Sequence, residues 1–311
     1  MHVRILVLGA GPAGYTAALY AALAGFRTVL LTGVMPGGQL TLSHAVENYP
    51  GYPAGTGQTL MDTLQNQVQQ AGVKIMYEQA ISADLSHSPF HVQTDMRTRI
   101  TADAVIIATG ATARWLHIPG EARWIGHGVS VCATCDGVFH KGHDVAVIGG
   151  GNVAAYEALY LSELCKRVFL IFPQDTLAAE HNLIQRIDAD SKITLIPQTQ
   201  ATEFLGTERL RAVCLKNIKT GQETRLAVHG AFEAVGQIPN SFLFQNQLDT
   251  DPDGYIQTNP LTGQTSREGV FACGDVQAPL FRQAIIAAGS GCAAALSAKA
   301  FLKGLKSNRH V

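Results

Sequence analysis

One pattern occurs twice in this chain and constrains its fold more than any other feature: a short apolar run, a glycine-rich turn, then a helical stretch. The first copy runs from residues 3–8 through Gly9-Ala10-Gly11-Pro12-Ala13-Gly14 into a helix predicted over residues 15–24. Gly9 permits a tight turn and Gly11 lets the backbone approach a pyrophosphate. Gly14 lets the helix pack on the strand while its N-terminal amides face the anion. The pattern returns 140 residues later, with a strand at 145–148, then Gly149-Gly150-Gly151-Asn152-Val153-Ala154, a helix predicted over 155–164 and a strand at Arg167–Ile171. Two such units mean two nucleotide-binding folds of the α/β class. For the second, an inherited fold with an empty site is the competing reading.

The remaining segments supply what a dinucleotide site needs. A second strand, Thr28–Leu31, ends at Thr32, where the general fingerprint expects an acid for the ribose. A hydroxyl can make that hydrogen bond, but it does not specify NAD. Residues 33–53 form a long Gly-, Pro- and Asn-rich loop containing Gly37-Gly38-Gln39-Leu40 and Val46-Glu47-Asn48-Tyr49. A loop of that length inside a compact fold usually holds a ligand. Beyond it come a helix at 59–71 and strands at 73–76, Phe90–Thr94, 100–101 and 104–108. The last of these ends in Thr109-Gly110, a second close approach of backbone to something flat or phosphorylated. Towards the C-terminus a strand at 270–273 runs into Gly274-Asp275, and Arg282-Gln283-Ala284 opens an Ala/Gly-rich helix. Asp275 is placed to accept hydrogen bonds from polyol hydroxyls, with a plain helix cap as the alternative.

The other chemical feature is Cys132-Ala133-Thr134-Cys135-Asp136. On one helical turn, positions three apart face the same side, so two sulfurs there can close and reopen a small disulfide ring. Thiol exchange needs a proton donor, and Asp136 is the carboxyl inside the motif. No second pair completes a zinc site, and the Asp-Gly step describes a turn better than a face of inert core thiols. Six cysteines in 311 residues are too few and too scattered for a secreted disulfide framework; Cys165, Cys214, Cys273 and Cys292 lie singly. A reducing, cytoplasmic setting is expected. With 47% hydrophobic and 15% charged residues the chain can bury two cores. Its net charge of −1, without basic runs, speaks against nucleic-acid or anionic-membrane binding. The apolar stretch at residues 5–26 is broken by glycines and a proline where a signal peptide would be continuous.

Taken in order, GAGPAG, GGQL, VENYPG, IIATGA, CATCDG, GGGNVA, GVFACGD and RQAIIAAG resemble the low-molecular-weight thioredoxin reductases over nearly the whole chain. The resemblance implies two Rossmann-like, three-layer ββα dinucleotide-binding domains, the second inserted in the first. An FAD domain would comprise 1–117 and 241–311, and a pyridine-nucleotide-type domain carrying the cysteines would comprise 118–240. It implies a homodimer that reduces thioredoxin or a similar small disulfide protein. Gly9, Gly11, Pro12, Ala13, Gly14, Thr32, Gly38, Gln39, Asn48, Thr109, Gly110, Gly274, Asp275, Arg282, Gln283 and Ala284 would hold FAD. Gly149, Gly151, Asn152 and Ala154 would form the second nucleotide site. Cys135 would lie nearer the flavin, Cys132 would attack the partner disulfide, and Asp136 would act as acid/base. Pro119-Gly120 and Pro239-Asn240 are the expected hinges.

One departure bears on the electron source. NADPH users of the family carry a His-Arg-Arg run after the second strand of the inserted domain, with another Arg four residues on; here those positions read Phe172, Pro173, Gln174 and Ala178. Arg normally clamps the 2′-phosphate. Losing two such donors costs roughly 3 to 6 kcal/mol, on the order of a hundred- to ten-thousand-fold in affinity. The expected donor is therefore a ferredoxin- or flavodoxin-type carrier. NADPH held by other groups, an oxygen-dependent dithiol oxidase, and a non-catalytic flavin-binding protein are the other readings.

Overall fold

In β1 (His2–Leu8), Val3 and the four residues from Ile5 to Leu8 are all buried, which only a central strand covered on both faces allows. The structure, a computed structural model, describes residues 1–43, 45–53, 55–277 and 281–308. β1 pairs in parallel with β2 (Thr28–Leu31) on one side and β6 (Arg99–Ile107) on the other. β3 (Lys74–Met76) extends the parallel part beyond β2, while β4 (Ala80–Asp84) and β5 (Phe90–Thr94) join antiparallel through β6. α1 (Pro12–Leu23) and α2 (Gly57–Gln70) cover one face with Ala17, Ala18, Ala21, Leu60, Met61 and Val68. α2 begins two residues ahead of expectation because Thr56 caps it, accepting the Thr59 amide at 3.1 Å. The strands expected at 100–101 and 104–108 are one strand. Asp103, the charge that interrupts the apolar pattern, pairs with Arg4 on neighbouring β1. β7 (Ala111–Ala113) leads out of this first unit.

The second unit follows with α3 (Glu121–Trp124), β8 (Val129–Ser130), α4 (Ala133–Asp136), β9 (Asp144–Ile148), α5 (Asn152–Leu164) and β10 (Arg167–Ile171). α6 (His181–Ala189), β11 (Ile193–Ile196), β12 (Thr199–Gly206), β13 (Leu210–Asn217), β14 (Glu223–Ala227) and β15 (Gly230–Glu233) complete it. A parallel sheet in the order β11-β10-β9-β15-β8 has α5 and α6 on one face. On the other lies the antiparallel sheet β12-β13-β14, whose Phe204, Leu210, Val213 and Leu215 pack on Ala146, Ile148 and Ile171. This is the three-layer ββα arrangement. β4 and β14 were not expected, since their largely exposed residues show no apolar alternation.

β16 (Gln237–Pro239) returns the chain to the first unit, where β17 (Val270–Ala272) pairs with the second half of β6. α7 (Ala284–Asn308) packs against α1. Among the described residues its stretch Ala284–Gly304 is long and apolar enough to cross a membrane by length and composition. Ala287, Ala294, Ala295, Ala298 and Leu302 nevertheless sit in the first unit's core. The units are Met1–Thr112 with Ile238–Val311, and Ala113–Gln237, so both crossings fall earlier than the expected 118 and 240. Asn240 belongs to the first unit through hydrogen bonds with Thr109 and Thr112, at 2.7 to 2.9 Å. Pro119, an expected hinge, lies inside the second, its carbonyl accepting the Phe204 amide at 2.9 Å.

Two buried carboxyls hold the start of the second unit. Glu233 accepts the Leu116 amide at 3.0 Å and Glu121 accepts that of His117 at 2.9 Å. Burial, then the adjacent Glu121, pushes Glu233 up to about 8. A raised carboxyl favours the fold while protonated. Its contribution is complete below the ordinary 4.5 and is lost as pH rises through about 8. The thermal midpoint should therefore fall between pH 5 and pH 8.5, by the equivalent of on the order of a few kcal/mol. Glu233→Gln should flatten that part of the profile.

Candidate active site

In the first unit the glycine turn is forced by contact. Gly9 has φ +108°, and a Cβ there would stand 2.2 Å from the Ala108 carbonyl oxygen; one at Gly14 would stand 1.8 Å from that of Gly9. Gly11 faces open space at the start of α1, which has neither a side-chain cap nor an acid in its first turn. Its free amides leave a receptive end for an anion. Pro12 opens the helix, and Ala13 lies beneath both Gly274 and Gly291: a Cβ on the first would be 2.9 Å from its Cβ, one on the second 2.2 Å from its carbonyl oxygen. Gly38 abuts Gly11, and the Gln39 side-chain amide donates to the Ala111 carbonyl. The structure therefore brings the N-terminal turn, the Gly38-Gln39 loop and the Gly274 turn together.

Asp275 follows in that turn, and burial raises its carboxyl to about 6 against the opposing influence of Arg282. Arg282 donates to the Tyr255 hydroxyl at 2.8 Å, and its buried Nε has no hydrogen-bond partner among the described residues. Asn48 donates to Gln283 at 3.2 Å, and Ala284 begins α7. Two expected contacts are used differently. The Thr32 hydroxyl is buried and donates to the Gly33 carbonyl, and that of Thr109 donates to Asn240, leaving the open backbone at Gly110. Sequence reasoning missed Ser290, which fixes the Gly274 amide at 2.9 Å, and Gly291. The closely spaced small residues 289–291 were the available signal. An open helix end, a buried carboxyl that hydroxyl donors would satisfy and an unsatisfied guanidinium nitrogen fit the pyrophosphate and ribityl groups of FAD.

In the second unit Cys132 and Cys135 form a disulfide with Cα atoms 5.3 Å apart. Cys132 caps the single-turn α4, and its carbonyl accepts the amides of Cys135 and Asp136 at 3.3 and 3.1 Å. Its own amide donates to Ser130 at 3.0 Å, and that of Ala133 donates to Glu157 at 3.2 Å. The motif is thus tied to β8 and α5. Asp136 is half-buried, and its charge counters the burial that lowers His140, four residues on. Two of the other thiols are unlike this pair: burial raises Cys165 to about 11 and Cys273 to about 12. Such thiols stay protonated and unreactive.

The second glycine turn repeats the first. Gly149 has φ +146° and a Cβ there would stand 2.3 Å from the Ala234 carbonyl oxygen; Gly151 faces open space and Ala154 is buried. Asn152 turns elsewhere, its side chain accepting the Glu180 amide at 2.7 Å. Gln174 lies over Gly150, its Oε1 2.8 Å from where a Cβ would be.

The contrast within the first turn is testable. Gly14→Ala should lower the thermal midpoint by several degrees, because backbone must move. Gly11→Ala should leave the apoprotein midpoint unchanged while reducing retained flavin absorbance at least ~10-fold, since only a ligand meets the added methyl.

Residues 3–291 match the family described as pyridine nucleotide-disulphide oxidoreductase. The chain is 44% identical over 303 residues to a thioredoxin reductase of Rickettsia bellii, covering 96% of this chain and 98% of that one. It is 43% identical over 309 residues to that of Vibrio cholerae, covering 97% of each. Among solved structures, a thioredoxin reductase from Giardia duodenalis matches with a TM-score of 0.92 at 38% identity, covering 97% of this chain and 99% of that one. The two cradles, the disulfide and these matches lead to one conclusion: the chain belongs to the low-molecular-weight thioredoxin reductases, FAD enzymes of the pyridine nucleotide-disulphide oxidoreductase family.

Proposed function

We propose that this reductase takes electrons from a ferredoxin- or flavodoxin-type carrier and passes them through Cys132 and Cys135 to thioredoxin or a similar small disulfide protein, working as a homodimer. The observation that carries the donor assignment is the segment after β10. Phe172 is buried in the core and Gln174 covers Gly150. Asp175 is engaged by Lys219 at 3.0 Å and Gln198 at 2.5 Å, and Ala178 offers only its amide, bonded to the Gly150 carbonyl at 2.8 Å. Arg167 on β10 is paired with Asp144 at 2.5 Å. Among the described residues of this segment, 172–178, there is no guanidinium to clamp a 2′-phosphate. The intact turn at Gly149 and Gly151 supports a second reading, in which NADPH binds through other contacts.

FAD, when bound, supplies the electron pair that opens the disulfide. Two electrons and two protons convert Cys132–Cys135 to a dithiol, with Asp136 moving a proton at the sulfurs. The Cys132 thiolate then attacks the partner disulfide and forms a mixed disulfide. Cys135 attacks the Cys132 sulfur in turn, restoring the internal bond and releasing the partner as a dithiol. By the family resemblance, Cys135 would be the sulfur nearer the flavin and Cys132 the one that meets the partner.

Anaerobic mixing separates the donors. Reduced ferredoxin should bleach the flavin band within seconds, and neither NADPH nor NADH should; bleaching by NADPH selects the second reading. Oxygen uptake driven by small dithiols would point instead to an oxidase. Cys132→Ser and Cys135→Ser should each lower disulfide turnover at least ~100-fold. Gln174→Arg combined with Ala178→Arg should introduce NADPH-dependent bleaching; failure to do so would show that more than charge separates this site from the family pattern.

A further inference from the structure

The middle of α5 carries an acid in an apolar setting. Its face towards the cysteine motif presents Tyr160, Leu161 and Leu164, with Leu161 and Tyr160 atoms 2.9 and 3.2 Å from where a Cβ on Gly137 would lie. Ala133 is fully buried with Ala154, Ala158 and Leu161. On this same side the half-buried Glu157 accepts the Ala133 amide at 3.2 Å. Ala133 is the residue directly after Cys132, so the carboxylate holds backbone inside the disulfide ring.

We propose that Glu157 is a positioning residue for the redox pair, fixing the Ala133 amide and setting a negative charge beside the sulfurs that keeps the dithiol strongly reducing. A carboxylate in a poorly solvated site needs a hydrogen-bond partner, and the amide provides one. That amide is thereby withdrawn from stabilising a thiolate. A nearby negative charge also disfavours thiolate, and a less stable reduced form makes the pair a stronger reductant. The other titratable groups on α4, on the turn that follows it and on α5 are Asp136, His140, Tyr156, Tyr160 and Glu163. Asp136 adds to the same effect, while a protonated His140 would oppose it.

A side chain serving only as a tether would work equally well uncharged, and this separates the two roles. The inference rests on Cys132 and Cys135 being the working dithiol. Its readouts need neither donor nor partner, so its failure is distinguishable from loss of turnover in the cysteine variants. Glu157→Gln keeps the amide acceptor and removes the charge. In the holoprotein, iodoacetamide labelling of the reduced pair, followed by mass on the peptide bearing both cysteines, should reach half-maximal rate about 0.5 to 1 pH unit lower than in wild type. Equilibration with a dithiol/disulfide buffer at a pH above both labelling midpoints, where the thiolate predominates, should leave the pair more reduced by about three- to tenfold, or about 15 to 30 mV higher in potential. Glu157→Ala should lower the thermal midpoint as well. If Glu157→Gln leaves both the labelling profile and the redox equilibrium at their wild-type positions, Glu157 is a tether and the proposal is wrong.

Discussion

The close approach of a glycine turn to the end of the adjacent strand is the contact on which both nucleotide folds depend. At Gly9 the neighbour is the Ala108 carbonyl and at Gly149 it is that of Ala234; a methyl group would collide at 2.2 and 2.3 Å. Each turn therefore lies flat on its sheet and delivers the following helix with its amide end open. Gly11 and Gly151 face unfilled space at the same point of each unit. The anion-binding property follows from backbone alone. What the units then do differs through side chains around the turn.

In the first unit those side chains converge: Gly38 meets Gly11, Gly274 meets Ala13, and Asp275 and Arg282 add polar groups that a flavin dinucleotide can satisfy. In the second, the Asn152 side chain accepts the Glu180 amide and that of Gln174 lies over Gly150. The second unit has another reason to keep its architecture. α5 begins at the glycine turn, and its middle seats the cysteine motif through Glu157 and a packed apolar face. The second unit's nucleotide fold thus serves as the frame for a disulfide.

Most of the framework was legible because its signals are local. Buried parallel strands read as unbroken apolar runs, the two turns carry their glycines at fixed spacing, and Cys132 and Cys135 stand three apart. What stayed hidden depends on partners distant in sequence. Asp103 looked like a strand break until Arg4 on the next strand was seen to neutralise it. Asn240 read as linker, yet its side chain is fastened to Thr109 and Thr112. Thr109 was rightly placed at a strand end, but its hydroxyl was already committed. Glu157 lies 24 residues from the amide it holds, and no local pattern announces such a pairing. Backbone geometry can be read from neighbours along the chain; the commitments of side chains cannot.

The proposed function centres on a sulfur pair, Cys132 and Cys135, that would exchange electrons with a bound flavin. Counting electrons in an anaerobic dithionite titration of the flavin-loaded protein tests this most directly. If the pair is in redox contact with the flavin, complete bleaching should consume two electron pairs per chain, one for the flavin and one for the disulfide, and Cys135→Ser should consume one. Bleaching of the unmodified protein with a single pair, its disulfide left intact, would contradict the account.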